Sequence, residues 1–387
     1  MRVFIALTYY RPHYSGLTIY TERLARALVE RGHQVTVLTS RFKPSLPAQE
    51  IKDGVTIIRP QVLMRVSKGV IMPTMTLRAW ELIKKADVVN LHVPQLDAAP
   101  ISVVGRLLRK PVLLTYHCDL RLPSGFVHRA ANQVSFIANH ISAMAADRIV
   151  TNTLDYAQNS FFLKNYLSKV AVIPPPVELA SITEQDVLQY RQKYHIEPGK
   201  QIIGVAARFA TEKGVEYLIQ ALPEVLQVYP DAQVHFVGQY ENVLGEELYA
   251  QKLMPLIHNL GEHWKFLGIL SPKDLAAFFR ESSVTVLPSI NSTESFGIVQ
   301  IESMISNTPV VATDIPGVRQ PVLSTGMGKI IPPRNSAALA RALIEILSDP
   351  EKFKGDIKTI ALCYSPETIA GEYETLFKEL MSSYGYC

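Results

Sequence analysis

The chain has 387 residues, 48% hydrophobic and 19% charged, a balance that suits a folded protein with a large core and excludes disorder. At about 100 to 200 residues per domain, this length predicts two domains. The net charge of +4 is unevenly spread: residues 1–177 carry 22 Lys and Arg against 10 Asp and Glu, residues 178–387 carry 17 against 25, so the halves stand at +12 and −8.

The opening MRVFIALTYYRPHYSG has one basic residue before a short apolar run, which reads as a β-strand rather than a secretory signal. Val3–Leu7, an amphipathic stretch over Thr18–Arg31 and Gln34–Thr39 make one strand–helix–strand unit. Further strands are predicted at Val55–Ile58, Val88–Leu91, Val112–Thr115, Arg148–Val150 and Val170–Ile173. Pro174, Pro175, Pro176 and the polar stretch after them read as a linker. The rhythm restarts with Gln201–Ala206, Gln233–Val237, Trp264–Leu267, Val284–Leu287 and Val310–Ala312, helical segments falling between them. This is the pattern of two doubly wound α/β domains, over 1–177 and 178–365. From Pro366 to Tyr384, apolar Ile369, Tyr373, Leu376, Phe377 and Leu380 fall at helical spacing and predict a helix that packs on a core.

Whole function classes drop out. Tyr14-Ser15-Gly16-Leu17-Thr18 has one glycine where a dinucleotide fingerprint wants three, and Gly326-Met327-Gly328-Lys329-Ile330 lacks both the spacer and the hydroxyl residue of a P-loop. The chain holds no Asp-x-Asp pair and no His-Glu-x-x-His, so no metal site is predicted. Cys118, Cys363 and Cys387 are too few and too scattered for a disulfide framework, and read as free thiols of a cytoplasmic protein. No run of 18 uncharged apolar residues predicts a membrane span.

Three segments at predicted strand ends carry the chemistry, since open α/β sheets bind ligands there. In Val205–Gly214, Arg208 and Lys213 are two cations on one loop, able to fold around a diphosphate. In Pro288–Glu302, a helix starting near Ser295 would set Glu294 at its head and Glu302 two turns on, roughly 12 Å further by helical rise. The N–H groups of Phe296, Gly297 and Ile298 would then face the same ligand. At the end of Val112–Thr115, His117 would border an interdomain cleft and bind a polar group there. Gly16, between first strand and first helix, would let backbone N–H groups approach an anion. Each residue alone also has an ordinary structural reading: turn glycine, solvated cations, helix-start carboxylate, structural histidine.

Taken together, these residues resemble the retaining glycosyltransferases of the GT-B fold, family 4. The likeness runs through Gly16, Ala146–Asn152, Val172–Val177, Arg208–Gly214, Phe266–Gly268, the Glu294 and Glu302 pair and Gly328–Pro333. The resemblance implies two Rossmann-like domains facing a deep cleft, the first for the acceptor and the second for a nucleotide sugar, with a C-terminal helix crossing back to the first. It implies that Arg208 and Lys213 hold the diphosphate, Glu302 the ribose, and Glu294 and His117 the donor sugar. Gly16 would contact the β-phosphate, and residues near Leu267, Gly268 and Ile269 would border the base. Leu17 and Ala207 stand where the family often has glycine, and neither change removes a charged group. No cofactor or metal is implied beyond the nucleotide-sugar co-substrate. UDP-glucose is the first expectation and GDP-mannose the second, with transfer to a hydroxyl acceptor in polysaccharide or glycolipid synthesis and no nucleic-acid partner. A GT-B epimerase, a phosphorylase and a non-catalytic sugar-nucleotide binder share the fold as alternatives.

The segment from Arg59 to Arg78 mixes cations with apolar residues in the basic half. It predicts contact with an anionic or lipid-linked acceptor at the inner face of a membrane, against the plainer reading of a buried strand, loop and helix.

Overall fold

A computed structural model describes residues 1–66, 69–119, 126–197 and 199–385. Cys118 and Cys363 are in no disulfide, whereas Cys387, and Ser67 and Lys68 of the 59–78 segment, lie outside the described residues. The chain forms two compact units: Met1–Pro176 with Tyr364–Cys387, and Val177–Cys363.

The first unit contains β1 (Arg2–Ala6), β2 (Gln34–Leu38), β3 (Gln49–Lys52), β4 (Val55–Ile58), β5 (Met64–Val66), β6 (Gly69–Ile71), β7 (Val88–Val93), β8 (Val112–Tyr116), β9 (Arg148–Thr151) and β10 (Val170–Val172). Eight of these make one sheet in the order β10-β9-β8-β7-β1-β2-β4-β3. Only the β3–β4 pairing in that sheet is antiparallel. Parallel sheets are covered on both faces, and β1 shows why its sequence is an unbroken apolar run. Val3 and Ile5 enter the core that holds Tyr20, Leu24 and Leu28 of the helix Gly16–Glu30, while Phe4 and Ala6 enter the opposite core with Ala79, Ile101 and Tyr116.

The C-terminal helix Pro366–Ser383 belongs to this first unit. Proline at its first position and Ser365, whose Oγ accepts from the Thr368 N–H at 3.1 Å, fix its start. Ile369, Tyr373, Leu376, Phe377 and Leu380 are its buried stripe and join the core of the Gly16–Glu30 helix. Arg31 pairs with Glu374 at 2.8 Å at the rim of this contact.

The 59–78 segment is mixed in character. β5 and β6 form an antiparallel two-stranded ribbon, with Leu63, Met64 and Ile71 exposed and Val70, Met72 and Met75 buried beneath.

The second unit contains β11 (Ile202–Ala206), β12 (Gln233–Val237), β13 (Trp264–Gly268), β14 (Val284–Leu287), β15 (Val310–Thr313) and β16 (Gly328–Ile331). They form one parallel sheet in the order β13-β12-β11-β14-β15-β16. The strand order reverses beside β11, so β11 and β14 are neighbours and the loops that leave their carboxyl ends lie side by side.

Candidate active site

The reversal in the second sheet explains how two stretches about eighty residues apart in sequence come together. The loop after β11 carries Arg208 and Lys213, and the loop after β14 carries Glu294. The Ile290 N–H donates to the Glu212 carbonyl at 3.0 Å and ties the two loops. Lys213 Nζ then donates to Glu294 Oε2 at 2.5 Å, and Ser289 Oγ donates to the same oxygen at 3.3 Å. Both members of this pair are largely shielded, with side chains 20% and 16% exposed, so their attraction is less screened than that of a surface pair.

Backbone geometry sets Lys213. A short 3-10 turn, Thr211–Lys213, ends on Gly214 in the left-handed region (φ 63°). A Cβ at 214 would sit 2.3 Å from the Pro288 carbonyl oxygen, so only glycine lets the first loop pass this close under the second. Thr211 is held in turn by Glu246, whose Oε2 accepts from its N–H at 2.9 Å and its hydroxyl at 2.7 Å. Arg208 is directed differently. Its guanidinium donates to Glu212 at 2.9 Å and is 42% exposed, leaving much of its charge turned to solvent.

The helix that carries the second glutamate starts later than expected. It spans Ile298–Ile305, not from Ser295, and Gly297 caps it in the left-handed region (φ 78°). Ser295 looks like a capping residue in sequence, but the close approach of β14 decides the start. A Cβ at 297 would meet Leu287 Cδ2 at 2.2 Å, and Gln300 Nε2 donates to the Phe296 carbonyl at 2.6 Å across this corner. Glu294 therefore lies on the loop three residues before the cap, and Glu302 is the fifth residue of the helix. Of the three N–H groups expected to head it, only that of Ile298 belongs to the first turn. Ser295, Phe296 and Glu302 are buried. Glu302 is 5% exposed, and a carboxylate is rarely buried this far without a partner.

Ile269 follows β13 beyond Gly268 and is exposed; within β13, Phe266 carries Tyr240 stacked on it with ring centroids 4.3 Å apart. A pocket bordered by Gln201, Arg280, Ser283 and Asn307 opens at the amino ends of β11, β14 and β15, and none of the residues above lines it.

In the first unit, Gly16 is the first residue of its helix, next to Ser15, whose Oγ accepts the Thr18 N–H at 3.2 Å. No neighbouring atom lies within 4 Å of a Cβ built at 16, so packing does not demand glycine there. His117 follows β8, and sequence reasoning missed what supports it. Its Nε2 lies 2.9 Å from Nδ1 of His92, a residue hidden in the apolar run of β7, and the two rings stack with centroids 5.1 Å apart. Burial lowers the pKa of His117 to about 3. Burial, then the neighbouring His117, lowers that of His92 well below the usual histidine value. Both rings are neutral near pH 7. The one signal available in sequence was polar Asn90 and His92 two residues apart inside a strand, which puts both on one face.

Residues 14–181 match the family model described as Glycosyltransferase Family 4, and residues 186–359 match that described as Glycosyl transferases group 1. The phosphatidyl-myo-inositol mannosyltransferase of Mycobacterium leprae is 27% identical over 86% of this chain and 83% of its own. The sucrose-phosphate synthase of Thermosynechococcus elongatus superposes with a TM-score of 0.79 at 21% identity, over 99% of both chains. Anabaena HepE, in complex with UDP and glucose, gives 0.77 at 18% identity over 98% of this chain and 100% of its own. These solved structures share the GT-B architecture with this chain.

Proposed function

The chain belongs to glycosyltransferase family 4, and on that premise we propose that it transfers a hexose, with retention, from a nucleoside diphosphate sugar to a hydroxyl acceptor without a divalent ion. The observation that carries this reading is the meeting of Lys213 and Glu294 at the switch point of the second sheet. A diphosphate arriving there would draw Lys213 toward itself and release Glu294 to accept hydrogen bonds from sugar hydroxyls. Arg208, turned partly to solvent, would meet the same diphosphate, and Glu302 the ribose. Gly16, with open space at its Cβ position, would give the β-phosphate room to approach, and His117 would bind the sugar.

As the bond from the anomeric carbon to the β-phosphate oxygen breaks, negative charge grows on that oxygen. Lys213 and Arg208 bind it more tightly then than in the ground state, which is the condition for catalysis. The acceptor oxygen forms its bond to the anomeric carbon on the face the phosphate leaves, and its proton passes to the departing phosphate. Glu294 orients the sugar and forms no covalent bond. UDP-glucose is the first donor in this reading, supported by the UDP and glucose in the HepE structure. GDP-mannose is the second, in line with the mannosyltransferase relative. A hydrolysis screen of nucleotide sugars tests it: one donor should be cleaved at least tenfold faster than the rest, and the same rate for all donors, with or without acceptors, would sink the reading.

The acceptor is proposed to be anionic or lipid-linked, met at the inner face of a membrane. The first unit carries 23 basic and 14 acidic residues, a net +9, once its C-terminal segment is included. Exposed Leu63, Met64 and Ile71 on the β5–β6 ribbon add an apolar edge to that field. Among the described residues no helix is long and apolar enough to cross a membrane. Sedimentation with anionic liposomes should show binding at low salt that weakens as salt rises; no pelleting at low salt removes the membrane from the proposal.

A further inference from the structure

A continuous line of hydrogen-bonding side chains runs inside the first unit from the C-terminal helix to His117. Tyr20 and Tyr373 hydroxyls are 2.8 Å apart, Tyr373 and Thr115 hydroxyls 3.0 Å, and Thr115 Oγ1 donates to Asn90 Oδ1 at 2.9 Å. Asn90 Nδ2 lies 3.4 Å from His92 Nε2, and His92 Nδ1 lies 2.9 Å from His117 Nε2. Tyr20, Asn90, His92, Thr115 and Tyr373 are all buried.

A buried chain of this kind has a direction, because each proton can be given once. Thr115 gives its proton to Asn90 Oδ1, so it accepts from Tyr373. The amide nitrogen of Asn90 can only donate, so His92 Nε2 must be bare. A neutral imidazole with bare Nε2 carries its proton on Nδ1. A second constraint, from another element, reaches the same result. Thr21 Oγ1 is 3.1 Å from His92 Nδ1 and donates its own proton to the Leu17 carbonyl at 2.9 Å, so toward His92 it acts as an acceptor. The single His92 Nδ1–H is therefore shared between Thr21 Oγ1 and His117 Nε2 in a three-centre bond, since a second N–H on His117 Nε2 could not approach it to 2.9 Å. His117 Nε2 is then the bare nitrogen of its ring, and the proton of His117 sits on Nδ1.

We propose that Asn90, His92, Thr21 and Thr115 are positioning residues that lock His117 in its Nδ1–H tautomer, so that the ligand atom it recognises is an acceptor oxygen. Burial holds both rings neutral, so the tautomer rather than the charge is what the network sets. The identity of that oxygen as one of a donor sugar rests on the function proposed above; the tautomer does not. An acceptor-only Nδ1 would serve a sugar hydroxyl as a proton sink, whereas an Nδ1–H selects for a lone pair and rejects an N–H or ammonium group in its place.

The test uses the full chain labelled with ring-nitrogen-15 histidine and two-bond proton–nitrogen spectra. Signals are assigned by their loss in His117→Gln and His92→Gln. The native chain should show both histidines with Nδ1 protonated and Nε2 bare at neutral pH. In the double variant Thr21→Val/Asn90→Leu, which removes both constraints, an Nε2-protonated form of His117 should appear, and kcat/KM for the donor should fall roughly threefold to tenfold, the loss of one hydrogen bond. A native His117 protonated on Nε2 overturns the proposal whether or not the variant folds. A folded double variant with the native pattern overturns it equally. Failure to turn over any nucleotide sugar would remove the proposed donor and leave the tautomer assignment standing.

Discussion

Lys213→Ala is expected to lower kcat for glycosyl transfer by about 10² to 10³, the range seen when a single anion-stabilising donor is removed from an active site. Lys213 is held by a left-handed glycine on one side and by Glu294 at 2.5 Å on the other, so its ammonium is pre-oriented and only 20% exposed. A leaving diphosphate gains charge as the reaction proceeds, and a cation already in place stabilises that state without further reorganisation. The substitution also leaves Glu294 with only the Ser289 hydroxyl among the contacts described at that oxygen, at 3.3 Å. Loss of a partly buried partner should cost about 1 to 3 kcal/mol of stability, between the surface and buried limits. Arg208→Ala should cost less in rate, because Arg208 is 42% exposed and already shares its guanidinium with Glu212. Steady-state kinetics with the cleaved donor, paired with thermal melts, separate the two effects. A folded Lys213→Ala enzyme within threefold of the native kcat would remove Lys213 from leaving-group stabilisation.

What the sequence made legible follows from how local each signal is. Apolar runs such as Val3–Leu7 and Val284–Leu287 mark buried parallel strands because both faces are covered, and the structure has strands there. β3, with the sequence QEIK, gave no such signal: it is an edge strand, mostly exposed, with no apolar face to read. β16 carries as weak a signal: its sequence GKII has a glycine and a lysine ahead of only two apolar residues, although the strand is the half-buried edge of the second sheet. The start of the Ile298–Ile305 helix was misread by three residues, since serine before an apolar run is the usual cap and the clash with Leu287 that forces glycine is a tertiary fact. Partnership also escaped the sequence. Lys213 finds Glu294 across 81 positions and Thr115 finds Tyr373 across 258, and nothing in either local string specifies the other. Cations and acids could be nominated one by one; which would pair was set by the order of strands in the sheet.

Phe377→Ala is expected to destabilise the first unit by about 3 to 5 kcal/mol, the cost of emptying a buried aromatic site. The side chain is 0% exposed in the core shared by the C-terminal helix, the Gly16–Glu30 helix and β1, and its ring lies 5.8 Å from that of Tyr373. For a unit of this size each kcal/mol moves the melting temperature by about 2 to 4 °C, so a fall on the order of 10 °C should be seen. The location of the damage is the sharper readout. The helix belongs to the same compact unit as residues 1–176, so hydrogen exchange should accelerate in β1, β2 and β7 while β11, β12 and β14 keep their protection. Leu362→Ala, at a side chain 67% exposed just before the unit boundary, should change stability by less than about 0.5 kcal/mol. A Phe377→Ala chain that melts within 2 °C of the native one, or that loses protection evenly in both units, would mean the terminal helix contributes little to the first core. Six buried apolar side chains on an eighteen-residue helix, Ala370 among them, add to the cover that the Gly16–Glu30 helix gives the first sheet, and Tyr373, one turn before Phe377, carries that cover into the polar line behind His117.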